Sequence, residues 1–166
     1  MFSNPDDMIL DITKGKDNPI LRKVSPKEGK ITKKTLKLLK DMADSMIATN
    51  GVGIAAPQVG VNTQMAHITI NKDQVFPIIN PEILSKSMTT IVDTEGCLSI
   101  PGVWGEVERA KEVTLRFTNL SGKEVTMKFK DFEARIVQHE VDHLNGILFI
   151  DHVPEDELHI EGGVAL

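Results

Sequence analysis

The stretch of the sequence with the clearest chemical potential is QHEVDHLNG, which runs from Gln138 to Gly146. It places His139 and His143 four residues apart, so a helix would present both imidazoles on one face, where a divalent metal ion could bind. Glu140 follows the first histidine directly and could act as a general base on a water molecule bound to that ion. The stretch predicts a catalytic metal site, but two protein ligands rarely suffice.

The same helix would carry an apolar stripe that includes both histidines. At about 100° per residue, Phe132 and Ile136 fall within one narrow arc with His139 and His143, and this arc is predicted to face the core. The alternative is a helix that carries two histidines and a glutamate on a solvated face. Because the histidines share their helix face with apolar residues, metal binding is favoured over a solvated face.

Cys97 is the best candidate for the third ligand. It stands in EGCLSIPG at a predicted strand end, where its side chain could project into a site. A lone thiol in apolar surroundings is more often an inert core residue, but the histidine pair favours a ligand. His152 and His159 lie past the predicted helix end among acidic residues, where a solvated histidine is the commoner case, and Phe149 occupies the position of the third metzincin ligand.

A third stretch, GVGIAAPQVG, follows the first predicted helix from Gly51 to Gly60. Its small residues would allow another backbone to approach closely, although such residues near a turn usually serve packing. Gln58 is an amide donor in this otherwise apolar loop and could recognise a carbonyl oxygen. Alone, this stretch is a weak signal.

Periodic apolar residues predict the elements that position these side chains. A helical stripe over Leu36, Leu39, Ala43 and Met46 predicts an N-terminal helix that stops at Asn50-Gly51. From Gln64 onward, short extended pieces separated by Pro, Gly and Asn predict strands. The alternating segments EVTLRFT and EVTMKFK predict a β-hairpin.

A second helix is predicted within KDFEARIVQHEVDHLNG, with Asp131 as its N-cap and Gly146 as its stop. The tail from Pro154 receives no assignment. These elements predict an α+β fold in which short antiparallel strands and a β-hairpin pack around a central metal-binding helix, with the N-terminal helix beside them. We expect a single domain over residues 1–166.

Composition narrows the classes of function. The net charge of −5 comes from interspersed acidic and basic residues, so we expect no nucleic-acid partner. No apolar run approaches the roughly 20 residues that span a bilayer, and the N-terminus lacks a secretory signal, so we expect a cytoplasmic protein; an organelle after removal of a transit peptide is the alternative. Cys97 is the only cysteine, which excludes an intramolecular disulfide.

The three stretches GVGIAAPQ, EGCLS and QHEVDHLNG, in this order, closely resemble the three signature motifs of peptide deformylases. NPILRKVS near the start and INPEIL before the cysteine motif also look like that family. The resemblance covers nearly the whole chain and leaves only the C-terminal tail unmatched.

The resemblance implies that Cys97, His139 and His143 bind one divalent metal ion. The family's reaction removes the formyl group from the N-terminal formylmethionine of newly made proteins and releases formate. A metal-bound water would be the nucleophile and Glu140 the general acid/base. Ligand types alone would favour zinc on frequency, whereas the resemblance implies Fe²⁺ in the cell, with Zn²⁺, Ni²⁺ or Co²⁺ as substitutes.

Further roles follow from the resemblance alone. Gln58 and the backbone N–H of Leu98 look like the pair that holds the formyl oxygen, and Gly53 is similar to the glycine whose backbone pairs with the substrate. Glu95 and Arg109 resemble an ion pair that supports the site; the alternative is a surface salt bridge of little energetic value.

The methionine pocket would be lined by Val52, Phe132, Arg135 and Ile136, with the charged head of Arg135 expected to point to solvent. The implied partners are N-formylmethionyl ends of nascent polypeptides, which could be met at the ribosome, and the protein is expected to be a monomer.

Two other functions remain open at this point. An endoprotease could use the same helix motif, but no third downstream ligand is present. A non-catalytic module could bind chain ends by strand addition, but it would have no need of Glu140 or Gln58.

Overall fold

The computed structural model describes residues 8–162. Within them lie two α-helices, α1 (Lys33–Ala48) and α2 (Asp131–Leu144), and eight strands: β1 (Gly53–Ala55), β2 (Met65–Ile70), β3 (Gln74–Lys86), β4 (Thr90–Cys97), β5 (Ile100–Ala110), β6 (Glu112–Thr118), β7 (Glu124–Lys130) and β8 (His159–Ile160). The α+β class predicted from the sequence is confirmed. No helix in these residues is long and apolar enough to cross a membrane.

The strands form two antiparallel sheets. The first has the order β1-β2-β3-β6-β7 and the second the order β4-β5-β8, so β1 and β4 are both edge strands. Strands β6 and β7 pair as the predicted hairpin, with Leu115 opposite Met127. Strand β3 spans 13 residues, longer than the short pieces that the sequence suggests, because a register shift between Ile79 and Glu82 carries it through its proline-containing middle.

The two helices pack on opposite faces of the five-stranded sheet. Ile54 of β1 belongs to an apolar cluster with Met42 and Met46 of α1. The next residue, Ala55, belongs to the cluster that contains Val137 of α2. Because consecutive strand residues point to opposite faces, α1 and α2 lie on opposite sides. Leu36, which belongs to the apolar helical stripe predicted from the sequence, is 44% exposed.

The ends of α2 differ in how well the sequence predicts them. Asp131 is the first helical residue and Lys130 stands at the cap without a side-chain hydrogen bond, so the N-cap prediction is wrong by one residue. The backbone N–H of Asp131 instead donates to the carbonyl of Lys111, which ties the helix start to the sheet. Gly146 has a φ of +72° and ends the helix as predicted.

The chain after α2 packs against the second sheet. Leu148 and Phe149 join a buried cluster with Leu21 of the N-terminal segment and Val107 of β5. The tail, which received no assignment from the sequence, supplies β8, whose His159 pairs with β5. Helix α2 itself contacts strands of both sheets.

Candidate metal centre and active site

The end of β4 and the C-terminal half of α2 bring Cys97, His139 and His143 together. Their ligand atoms all lie within 4.8 Å of one another, and Cys97 Sγ is 3.3 Å from His143 Nε2. The two imidazole rings meet edge to face, with centroids 4.9 Å apart. The cysteine singled out from the sequence therefore lies beside the histidine pair.

This donor set fits a transition-metal ion. Ligand atoms in a tetrahedral zinc site with Zn–S and Zn–N bonds are about 3.3–3.7 Å apart, which is close to the separation of 3.3 Å between Cys97 and His143. Burial disfavours the thiolate of Cys97, but the charge of His143 and hydrogen bonds with both histidines outweigh it and hold the pKa of the thiol well below its ordinary value. A thiolate with two imidazoles suits zinc and iron.

Glu95 fixes the orientation of His139. The Nδ1 atom of His139 lies 2.9 Å from Glu95 Oε2, which leaves Nε2 for an ion. Burial lowers the pKa of His139, but hydrogen bonds with Cys97 and Glu95 outweigh it and raise that pKa well above its ordinary value. Burial likewise raises the pKa of Glu95, but hydrogen bonds from His139 and Arg109 hold it far below the ordinary range.

Two buried guanidinium groups share the carboxylate of Glu95. Arg109 donates through Nε at 2.9 Å and Nη2 at 3.0 Å, and both side chains are 5% exposed, so this is not a surface salt bridge. Arg135 Nη1 donates to the same carboxylate at 2.8 Å. The expectation that Arg135 points to solvent is wrong, because its head also donates to the carbonyls of Ile91 and Val107 in β4 and β5.

Glu140 lies at the base of the site and is 3% exposed. Its Oε2 atom has no hydrogen-bond partner within residues 8–162. Burial raises the pKa of Glu140 to about 7, against the opposing charges of His139 and His143. A carboxyl group with a free oxygen and a pKa near neutrality is well suited to exchange protons at physiological pH.

Gln58 presents its amide nitrogen to the same site. Its Oε1 atom accepts from the backbone N–H of Ala55 at 2.9 Å, which fixes the side chain at one end. Its Nε2 atom lies 3.5 Å from Cys97 Sγ and 3.3 Å from Ser99 Oγ. Leu98 lines the adjoining cleft. The arrangement offers an N–H donor to an oxygen that enters beside Cys97.

The site opens into a cleft of about 860 Å³. The cleft is lined by all five residues that the sequence assigned to substrate binding: Val52, Gly53, Phe132, Arg135 and Ile136. Phe132 is 57% exposed and lies at the mouth of the cleft, so the helical arc through the histidines does not stay buried along its whole length.

Comparison with known proteins identifies the family. The family model described as polypeptide deformylase matches residues 9–159. The chain belongs to the peptide deformylase family. It is 48% identical over 137 residues to the peptide deformylase of Pseudothermotoga lettingae, a match that covers 82% of this chain and 79% of that protein. It is 47% identical over 146 residues to the enzyme of Halothermothrix orenii, covering 87% of this chain and 94% of that protein.

Solved deformylase structures share the fold. The Met-Ala-Ser-bound class I type b peptide deformylase from Acinetobacter baumannii matches with a TM-score of 0.84 and 35% identity, covering 89% of this chain and 99% of that chain. Peptide deformylases are metal-dependent hydrolases, and the Cys/His/His cluster, in which His143 is buried and the other two residues are half-buried, provides this deformylase with a possible metal site.

The deformylase site also contains residues that the sequence did not single out. Trp104 of β5 and Leu10 and Ile12 of the N-terminal segment line the cleft; no spacing connects them with the motifs. Asp142 accepts from Arg109 at 2.6 Å. Its position three residues after His139 in the motif was the available signal, but the sequence does not reveal its partner on β5.

Proposed function

We propose that this deformylase removes the formyl group from the N-terminal formylmethionine of newly made proteins and releases formate. The observation that carries this proposal is the position of buried Glu140 beside Cys97, His139 and His143, with the Gln58 amide on the same cleft. These groups together supply ligands, a proton-transfer group and an N–H donor.

Cys97, His139 and His143 would hold one divalent ion, Fe²⁺ in the cell, with Zn²⁺, Ni²⁺ or Co²⁺ as substitutes. When bound, such an ion lowers the pKa of water and polarises a carbonyl oxygen. Glu95, supported by Arg109, keeps the imidazole of His139 turned so that Nε2 faces the ligand position. The deprotonated thiol adds one negative charge to the ligand set.

Glu140 would move the protons. It takes a proton from the attacking water and delivers it to the departing nitrogen, which otherwise would leave as a poor anion. A pKa of about 7 supports both steps, since the group can accept and return a proton with little cost near neutral pH.

Gln58 and the backbone N–H of Leu98 would hold the formyl oxygen as it becomes an oxyanion. The hydrogen bond from the Ala55 N–H to Gln58 Oε1 fixes the orientation of the side-chain amide before substrate binds. Little reorganisation of this donor is therefore needed in the transition state. A formyl group is the smallest acyl group, and an added methyl group would enter the space next to these donors.

The rest of the cleft would bind the methionine and the peptide that follows it. Val52, Phe132 and Ile136 supply apolar surface, and Arg135 contributes the stem of its side chain because its head faces Glu95. Gly53 lies on the free edge of β1, where a peptide backbone can add as a strand. The Met-Ala-Ser peptide bound to the Acinetobacter baumannii enzyme supports a peptide ligand here.

The proposed partners are N-formylmethionyl ends of nascent chains in the cytoplasm, including at the ribosome, with no nucleic acid bound directly. We further propose that the protein acts as a monomer with one catalytic domain.

The test compares formyl-Met and acetyl-Met peptides with metal-loaded wild type and Glu140→Gln. We expect cleavage of the formyl peptide only, and a loss of about 10²–10⁴-fold in rate with unchanged metal content in the variant. Similar kcat/KM for the two peptides would rule out the proposed specificity, and cleavage of internal bonds in casein would indicate an endoprotease instead. A variant within a few-fold of wild type would remove Glu140 from the mechanism.

A further inference from the structure

A chain of side-chain contacts leads from the protein surface to the proposed ligand His139. It consists of His152, Asp142, Arg109, Glu95 and His139, and we call it the side-chain relay. His152 Nε2 lies 2.8 Å from Asp142 Oδ2, and the same oxygen accepts from Arg109 Nη1 at 2.6 Å. Arg109 in turn donates to Glu95, and the carboxylate of Glu95 contacts His139.

The exposure of the side chains falls from His152 at the surface to Glu95. His152 is 35% exposed and Asp142 is 20% exposed, whereas Arg109 and Glu95 are both 5% exposed. Two guanidinium groups, those of Arg109 and Arg135, share the single carboxylate of Glu95. Asp142 supplies the second carboxylate that balances this buried positive charge.

Geometry indicates which nitrogen of His152 carries hydrogen. Its Nε2 atom lies 2.8 Å from a carboxylate oxygen of Asp142 and 3.4 Å from Arg109 Nη1. If Nε2 carried no hydrogen, its lone pair would face the carboxylate oxygen of Asp142 and the two would repel each other. Nε2 must therefore carry the hydrogen and donate to Asp142. Asp142 Oδ2 thus receives two donors, and the hydrogen bond from His152 helps to keep it directed at Arg109.

The turn that contains His152 touches the metal centre a second time. This turn, Phe149–His152, stacks the ring of Phe149 on His139, with centroids 6.4 Å apart and planes 18° apart. Phe149 is 1% exposed. The turn is therefore packed against a proposed ligand at one end and bonded to the relay at the other.

We propose that His152 is a positioning residue that holds the ligand His139 in place through the relay. This inference rests on the proposed metal site, but not on the identity of the acyl group removed. Loss of the His152 hydrogen bond frees Asp142 to turn towards solvent, which loosens Arg109 and then Glu95. The imidazole of His139 then loses part of its orientation, and a bound ion escapes more readily.

The test measures release of Zn²⁺ from the zinc-loaded protein into an excess of chelator. The variants are His152→Ala, His152→Gln, Asp142→Asn and the double variant His152→Ala with Asp142→Asn. His159→Ala is the matched control, because His159 is an exposed histidine on β8 that lies outside the relay.

We expect His152→Ala to speed release about 5-fold, less than the 10–100-fold typical of groups bonded directly to a ligand. His152→Gln, which keeps an N–H donor, should stay within about 2-fold of wild type. Asp142→Asn should have the larger effect, and the double variant should match it, since His152 acts only through Asp142. His159→Ala should release zinc at the wild-type rate.

Two results would overturn the inference while leaving the proposed function intact. The first applies if the wild type binds zinc and removes formyl groups, but His152→Ala releases zinc at the wild-type rate. The other is a double variant in which the two single effects multiply, since that would make His152 independent of Asp142. A wild type that holds no Zn²⁺ would overturn both the relay and the metal site; a wild type that holds zinc but does not deformylate would overturn only the proposed reaction.

Discussion

Gly53 lies directly against the carboxylate of Glu140, and a Cβ atom on Gly53 would occupy space that Glu140 Oε1 and Cδ already fill. Strand β1 cannot easily move away, because Gly53 pairs with Ile68 of β2 in the five-stranded sheet. The close packing of backbone and carboxylate therefore leaves room only for glycine.

Gly53→Ala should displace the Glu140 carboxylate and lower kcat by about 10²-fold, since misplacing a proton-transfer group by roughly 1 Å has a cost of this order. Metal content should stay at the wild-type level, because the three atoms nearest to the new methyl group all belong to Glu140 and none to a proposed ligand. Steady-state kinetics and metal analysis test this.

Gly29→Ala is the control for this substitution. A Cβ at Gly29 meets no atom within 4 Å, so kcat should be unchanged. Full activity in Gly53→Ala would show that Glu140 can relocate without loss, and that the contact with β1 does not position it.

Cys97→Ala should abolish tight metal binding, because it removes the only thiolate and leaves two imidazoles. Cys97→Ser is the conservative companion and should also lose the ion on dialysis, since a neutral hydroxyl is a much weaker ligand. Metal analysis after dialysis is the measurement. A stoichiometric ion in either variant would make Cys97 a buried bystander.

Arg135→Met should destabilise the protein by about 3 kcal/mol, since it removes a buried charge from Glu95 and leaves the carbonyls of Ile91 and Val107 without this donor. The matched control is Arg116→Met, whose ion pair with Glu82 is exposed and should contribute far less to the free energy of unfolding. Urea unfolding of both metal-free variants tests the difference. Equal losses would contradict a buried structural role for the Arg135 head.

His67 should make stability depend on pH. Burial lowers the pKa of His67 in the folded protein, against a hydrogen bond with the Leu39 carbonyl, so the unfolded chain takes up the proton first as pH falls. Its contribution is fully present above about pH 6.5 and is lost below it, at up to about 1.4 kcal/mol per pH unit.

The measurement is urea unfolding of wild type and His67→Gln between pH 7.5 and pH 5.5. The stability advantage of wild type over the variant should shrink towards the acidic end, because glutamine keeps an N–H donor but does not titrate. His159→Gln, at an exposed position, should show no such trend. A constant difference between wild type and His67→Gln would refute the prediction.

The sequence predicts the ligand helix and the hairpin because both depend on local periodicity. His139 and His143 share a helix face whatever surrounds them, and the alternation through Val113 and Val125 sets the β6–β7 pair. The position of Cys97 at a strand end was also accessible, since Gly96 and the following turn residues mark that end.

Contacts between distant segments were not accessible in the same way. The direction of the Arg135 head depends on carbonyls of β4 and β5, which lie 28 to 44 positions away in the sequence. His152 lies among acidic residues, which suggests a solvated histidine, and only the fold brings it to Asp142. A helical wheel shows which face a side chain occupies, but not what the opposing strand places there.

Cys97 and His139 come from different parts of the chain, one at the end of β4 and the other on α2. An ion between them closes a loop of 42 positions (139 − 97), in a protein whose single cysteine cannot form an intramolecular disulfide. The cofactor would therefore also link β4 to α2 in the folded protein, and its binding free energy would add to the stability of the fold. Chelation should therefore loosen the fold as well as abolish activity. Amide hydrogens at the end of β4 should exchange faster, and the second sheet should separate from α2 before the first sheet does.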